Sequence, residues 1–134
     1  MQTLEKDVSI EASEMISEYA WAVDLELNQR AAEYAKRQGQ DFVSKEDLVH
    51  ILQHESPVQL LETYRDDEVD YPINAEAVEF LSKVRASFSY ELQTVAEKLA
   101  GNNIESEDVL EAILVMRKPS LIYEGVSVPL KLLE

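Results

Sequence analysis

An all-α fold made of two copies of one helical unit is what this sequence predicts, and three observations predict it. The first is duplication: Val8 to Leu52 and Ile73 to Leu114 each hold a long apolar-striped segment, a glycine, a short link and a segment opened by an acidic pair. Self-similarity of this kind marks a repeated supersecondary unit. The second is spacing. Seven residues separate Gly39 from Glu46 and six separate Gly101 from Glu107, and each Glu is followed by Asp and an apolar residue. The third is periodicity, since apolar side chains recur in steps of three and four through both long segments. Each glycine falls where the end of a helix calls for the left-handed conformation, which is expected at both.

Taken in order, Ser9 is placed to cap a helix whose stripe runs through Ala12, Ile16, Tyr19 and Ala20, Val23, Leu27, Ala31, and Tyr34 and Ala35. Gly39 ends it, and Phe42 and Val43 form an extended link. Ser44 then caps a short helix, with Asp47 completing a capping box, Glu46 near the positive helix end, and Leu48, Val49, Ile51 and Leu52 as its buried face. Pro57 starts another short helix through Leu60, Leu61 and Tyr64, and the run from Arg65 to Pro72 reads as an acidic connector. The second long helix carries Val78, Leu81, Val84, Phe88, Leu92, Val95 and Leu99. Beyond Gly101, Ile104 is the apolar link residue. Glu107 and Asp108 open a last helix backed by Val109, Leu110, Ile113, Leu114 and Met116, and Pro119 stops it. Residues 119–134, with Gly125 and Pro129, read as an extended arm.

Short helices cover only the ends of a long one, so each long stripe needs a second long helix across it. The expected architecture is one compact domain over residues 1–134, with repeat one at 8–56 and repeat two at 57–118. In it the long helices cross and the two post-glycine loops pair with each other. Gln40, Asp41, Phe42 and Lys45 are then the paired-loop candidates of one copy, and Asn102, Asn103 and Ile104 those of the other.

Bulk composition narrows the function. The chain has 134 residues, 46% of them hydrophobic, enough for a folded domain with a core. Its 27 acids against 12 bases give a net charge of -15, a field that repels nucleic acid and anionic membranes and favours basic partners. With no cysteine there is no disulfide, no thiolate catalysis and no Cys-type zinc site. No signal-peptide core and no run of about 20 apolar residues is present, so an intracellular, soluble protein is expected, cytoplasmic or, in a eukaryote, nuclear.

The first copy resembles a histone fold, most clearly the archaeal-type histone pattern. The resemblance rests on Val8-Ser9, Ala12, Ala31-Ala32-Glu33-Tyr34-Ala35, Gly39, and Ser44-Lys45-Glu46-Asp47-Leu48. The second copy is similar, with residues 57–70 in place of the family's first short helix and loop, then Ala77, Gly101 and Glu107-Asp108. The resemblance implies two histone-fold-like repeats packed as an intramolecular handshake, a monomeric pseudodimer or a homodimer of such chains. It also implies DNA held through phosphate contacts from basic loops. Here the sequence departs from the family, which typically places Arg-Lys-Thr after the glycine. This chain has Gln40-Asp41-Phe42 and Asn102-Asn103-Ile104 instead, and the remaining loop region offers Lys6 in one half and Asp66, Asp67, Glu68 and Asp70 in the other. The first copy also lacks the initial short helix, leaving an end that a partner could fill. Residues 31–55 bear a second resemblance, to the N-terminal repeat of Clp chaperones, an adaptor- or substrate-binding domain; the preceding helices of that family are shorter than the long stripes here.

Three functions follow as expectations. The first is a non-enzymatic protein-interaction module in transcription or chromatin-like regulation, its partner basic or histone-fold and its DNA binding weak or absent. The second is a DNA-packaging doublet using Arg30, Lys36, Arg37, Lys45, Lys83 and Arg85 as phosphate contacts. The third is an acidic decoy of a basic or nucleic-acid-binding protein. Trp21 is the candidate partner anchor. Isolated glycines form no phosphate cradle, and no catalytic set stands out, so neither an enzyme nor a cofactor is expected. His50, His54 and Glu46 share helical spacing that would suit a metal, but no third strong ligand is identifiable and no metal is expected.

Overall fold

The computed structural model describes residues 6–65 and 70–117. In chain order these form strand β1 (Asp7–Val8), the long helix α1 (Ile10–Arg37), short helices α2 (Lys45–Leu52) and α3 (Pro57–Glu62), the long helix α4 (Ala75–Leu99), strand β2 (Asn103–Ile104) and helix α5 (Ser106–Arg117). Residues 66–69 of the expected acidic connector and the expected arm at 119–134 lie outside the described residues. The packing divides the chain into two compact units, Met1–Ser13 with Leu92–Glu134, and Glu14–Glu91.

Helix starts follow local chemistry closely. Ser9 Oγ accepts the Ala12 N–H at 3.1 Å, and Asn74 Oδ1 accepts that of Ala77 at 2.9 Å, each satisfying a donor the helix itself leaves open. At α2 the Ser44 hydroxyl accepts the Asp47 N–H at 3.3 Å while Asp47 Oδ2 accepts the Ser44 N–H at 2.9 Å, the reciprocal capping box that the sequence predicts. Ser56 and Gln59 repeat the device at α3 with Pro57 in the first turn. At α5 Asp108 Oδ2 accepts the Glu105 N–H at 2.8 Å.

The two glycines part company. Gly39 has φ +72°, the Gly39 N–H reaches the Lys36 carbonyl at 3.0 Å and the Gln40 N–H reaches that of Ala35 at 2.9 Å. This is a Schellman ending. Gly101, expected to match it, is not left-handed. The reason is a different terminator: Lys6 Nζ donates to the Glu97 carbonyl at 2.7 Å and the Ala100 carbonyl at 2.9 Å, so the open acceptors of α4 are met by an ammonium group. Gly39→Ala should therefore lower stability by about 1 kcal/mol, whereas Gly101→Ala should stay within about 0.5 kcal/mol. No atom lies within 4 Å of an added methyl at either position, so the contrast isolates backbone strain, and thermal melts of the two variants measure it.

In the 14–91 unit the core joins Leu27, Ala31 and Ala32 of α1 to Val43, Leu48, Leu60, and Ala77 and Leu81 of α4, with Ile51, Ile73 and Phe80 packed against it. The two long helices thus pack together here, as their stripes require. In the other unit Ala12, Leu92, Ala96, Ile104, Val109, Ala112 and Ile113 are buried. Two stripe assignments shift. Val78 and Leu99 are exposed, and Ala77 and Ala96 take the buried ends of the α4 face. Leu110 and Leu114, expected behind the last helix, are also exposed, because α5 buries the narrower set Val109, Ala112 and Ile113.

The links pair in a way the sequence expectation did not anticipate. Asp7 and Val8 pair in parallel with Asn103 and Ile104, continued by Ser9 N–H to the Ile104 carbonyl at 2.9 Å. Val43 forms a parallel bridge with Ile73, held by Val43 N–H to Pro72 O at 2.8 Å and Asn74 N–H to Val43 O at 3.1 Å. The link after Gly39 therefore pairs with the segment preceding α4, and the link after Gly101 with the segment preceding α1, whereas the expected pairing of the two post-glycine links with each other is not observed among the described residues. Val43 and Ile104 are fully buried, so each link is tied down by hydrogen bonds and by an apolar side chain together.

Candidate functional site

The loop ends carry little positive charge. Gln40 and Asp41 are exposed beside the Val43–Ile73 bridge, and the Gln40 carbonyl accepts the Tyr71 hydroxyl. Phe42 points outward, 44% exposed. Lys45 lies over the Phe80 ring at 5.6 Å. At the other pairing, Asn102 and Asn103 are exposed and Ile104 is buried. Lys6, the cation nearest that pairing in sequence, is committed to the carbonyls of α4 and its N–H to Glu97.

Candidate phosphate contacts are similarly engaged. Arg30 binds Glu26, Glu55 and the Thr63 hydroxyl. Arg85 pairs with Asp24 at 2.5 Å, and Lys36 and Arg37 lie over the rings of Tyr71 and Tyr34 at 5.1 and 5.9 Å. Lys83 is exposed. The six are spread over α1, α2 and α4.

Two charged constellations come from pairings that the sequence reading did not make. Glu26 is completely buried. Its carboxylate meets Arg30 Nε at 2.8 Å and Arg65 at 3.5 Å, and also accepts the Arg65 backbone N–H at 3.1 Å. The four-residue spacing of Glu26 and Arg30 on one helix was the readable signal. The second constellation surrounds Trp21, half exposed with the Arg85 guanidinium 4.1 Å from its ring centre. Arg85 thus joins an exposed indole to a buried carboxylate across the two long helices, giving the expected partner anchor a fixed, cation-backed face.

Burial raises the Asp24 carboxyl above its ordinary 3.8, opposed by the hydrogen bond and charge of Arg85. As pH climbs past 3.8 the unfolded chain ionises first, the native state holds the extra proton, and stability contributed by this group falls with rising pH. Asp24→Asn should consequently gain in melting temperature relative to the native sequence as pH rises through the window just above 3.8. A relative loss instead would show that the Arg85 attraction outweighs burial.

His50 stacks on Tyr34 with ring centres 4.0 Å apart, and His54 Nδ1 lies 2.9 Å from the His50 carbonyl. Both histidines are thus engaged locally, and Glu46 is exposed. Among the described residues no group of three or more His, Asp or Glu could hold a metal ion, and no helix is long and apolar enough to cross a membrane.

Comparisons with protein-family models, with curated proteins and with solved structures found no match to this chain.

Proposed function

We propose that the chain is a histone-fold-like pseudodimer acting as a non-enzymatic protein-interaction module, in transcription or chromatin-like regulation. The observation that carries this reading is the reciprocal parallel pairing: the link after one copy's glycine meets the segment before the other copy's long helix, once at Val43–Ile73 and once at Val8–Ile104. A handshake of two like units would join its loops in that manner. Phosphate affinity scales with the cations offered, and the paired ends present Gln40, Asp41, Asn102 and Asn103, while Lys6 already holds helix carbonyls. A whole-chain charge of -15 adds long-range repulsion of DNA and attraction of basic surfaces. Trp21, backed by Arg85, is the anchor assigned to the partner.

The test is a fluorescence-anisotropy titration with random duplex DNA at low and physiological salt, run beside a titration with a basic histone-fold protein that follows emission of the single tryptophan. The module reading expects no DNA binding at low salt and a Trp21 response that survives physiological salt. DNA binding with a steep salt slope would replace it with the packaging doublet. Protein binding that vanishes with salt and leaves Trp21 unchanged would replace it with a charge decoy.

A further inference from the structure

We infer that His50 and His54 form an open, two-nitrogen site for a divalent metal ion that prefers imidazole, such as Zn²⁺, a role that does not depend on the proposed function. Spacing allows this, since residues four apart on a helical turn are neighbours. His54 lies just beyond α2, and the chain still turns there, with the His54 N–H reaching the Ile51 carbonyl at 3.0 Å. The structure adds what spacing cannot supply, the state and placement of the two rings.

The proton comes first. His54 Nδ1 lies 2.9 Å from the His50 carbonyl oxygen. A carbonyl only accepts, so in the neutral imidazole Nδ1 carries the hydrogen and Nε2 keeps its lone pair. An imidazole whose Nδ1–H is held by a backbone carbonyl has the tautomer a metal ligand needs, and the same bond orients the ring. Distance is the second point. The two ring centres stand 4.8 Å apart with their planes inclined at 52°. Zn–N bonds of about 2.0–2.1 Å bridge donor nitrogens up to about 4 Å apart, so one ion can reach a nitrogen of each ring. Preorganisation is the third. His50 is stacked on Tyr34 with centres 4.0 Å apart and planes 14° from parallel, so little side-chain freedom is lost on binding.

The surroundings favour a cation. His54 is exposed, which leaves the site open to solvent. Glu46, also exposed and one turn before His50, puts negative charge on the same side of α2, and the net charge of -15 concentrates cations near the surface. Among the described residues no group of three or more ligands closes the set, so water completes the coordination of the ion. Imidazole suits zinc, whereas carboxylates suit Mg²⁺, and this difference separates the histidine pair from the acidic surface around it.

The test is a Zn²⁺ titration of the full-length protein at neutral pH in excess Mg²⁺, followed by NMR of the ring nitrogens. The chain has only these two histidines, so each ring is read without overlap. The expected result is a His54 ring protonated at Nδ1 before metal is added, then one Zn²⁺ per chain that moves both rings together to a single saturation point. His54→Gln should raise the dissociation constant at least about tenfold, because a lone imidazole loses the advantage of a second ligand held beside it. Equal affinity in that variant would place the ion on carboxylates and overturn the inference. Rings that saturate at different zinc concentrations, or that show no saturable change, would overturn it too. Circular dichroism checks the fold of the variant. Should it lose helicity, His50→Gln supplies the same comparison, and the joint saturation of the two rings in the native sequence decides without either.

Discussion

Leu27→Ala is expected to lower stability by about 3–4 kcal/mol, within the range for truncating a fully buried leucine. Leu27 is fully buried, and its cluster gathers α1, the Val43 link, α2, α3 and α4 around one point. Its companions Ala31, Ala32 and Ala77 are too short to swing into the space a lost isobutyl group leaves, so the cavity should persist. For a domain stabilised by about 5–15 kcal/mol that is a large share. Urea denaturation with an unchanged slope checks it. A loss below about 1.5 kcal/mol would mean that the surrounding helices collapse inward.

Arg30→Met is expected to cost about 3 kcal/mol, by another route. Glu26 has no solvent exposure, and removing Arg30 takes away its 2.8 Å partner, leaving a buried carboxylate with Arg65 at 3.5 Å and one backbone N–H. Breaking a buried pair from one side is costly because the remaining charge loses its closest compensation. The same substitution frees Glu55 and removes the 2.6 Å contact to Thr63, so α1 loses its polar tie to the ends of α2 and α3. Replacing both partners, Glu26→Gln with Arg30→Met, should cost less than the single change, since the buried carboxylate is then gone and the charges that lose a partner, Glu55 and Arg65, are partly exposed. A double-mutant cycle by chemical denaturation reads that difference directly. A single variant no worse than the double would reduce the pair to a surface contact in energetic terms.

What was legible in the sequence was whatever is decided within one turn of chain. Ser9, the Ser44–Asp47 box and the left-handed Gly39 depend on neighbours within a few positions, and the structure has each of them as the sequence predicts. Gly101 failed the same test because its helix is finished by Lys6, more than ninety positions away, which no local pattern encodes. The stripe of α4 was right in period and wrong at both ends: alanine carries a weak hydrophobic signal, so Val78 and Leu99 were preferred over Ala77 and Ala96, which are the residues that the structure buries. The candidate site was less legible. Trp21 could be singled out as an unusual residue, but its pairing with Arg85 and the burial of Asp24 are tertiary facts. Register between distant links has no local signature either. The paired segments could be named while their partners were misassigned.

The two parallel bridges differ in how much chain each must gather before it can close. Val43 and Ile73 enclose a loop of about 30 residues and Val8 and Ile104 one of about a hundred, a difference of ~1 kcal/mol in closure entropy. The inner bridge is therefore expected to close earlier in folding, together with the Leu27 cluster around it, and the outer one later, as it brings the two ends of the described chain together. Order of assembly is thus written into the spacing of four link segments. The contact expected last joins the residues before the first helix to those that lead into the last.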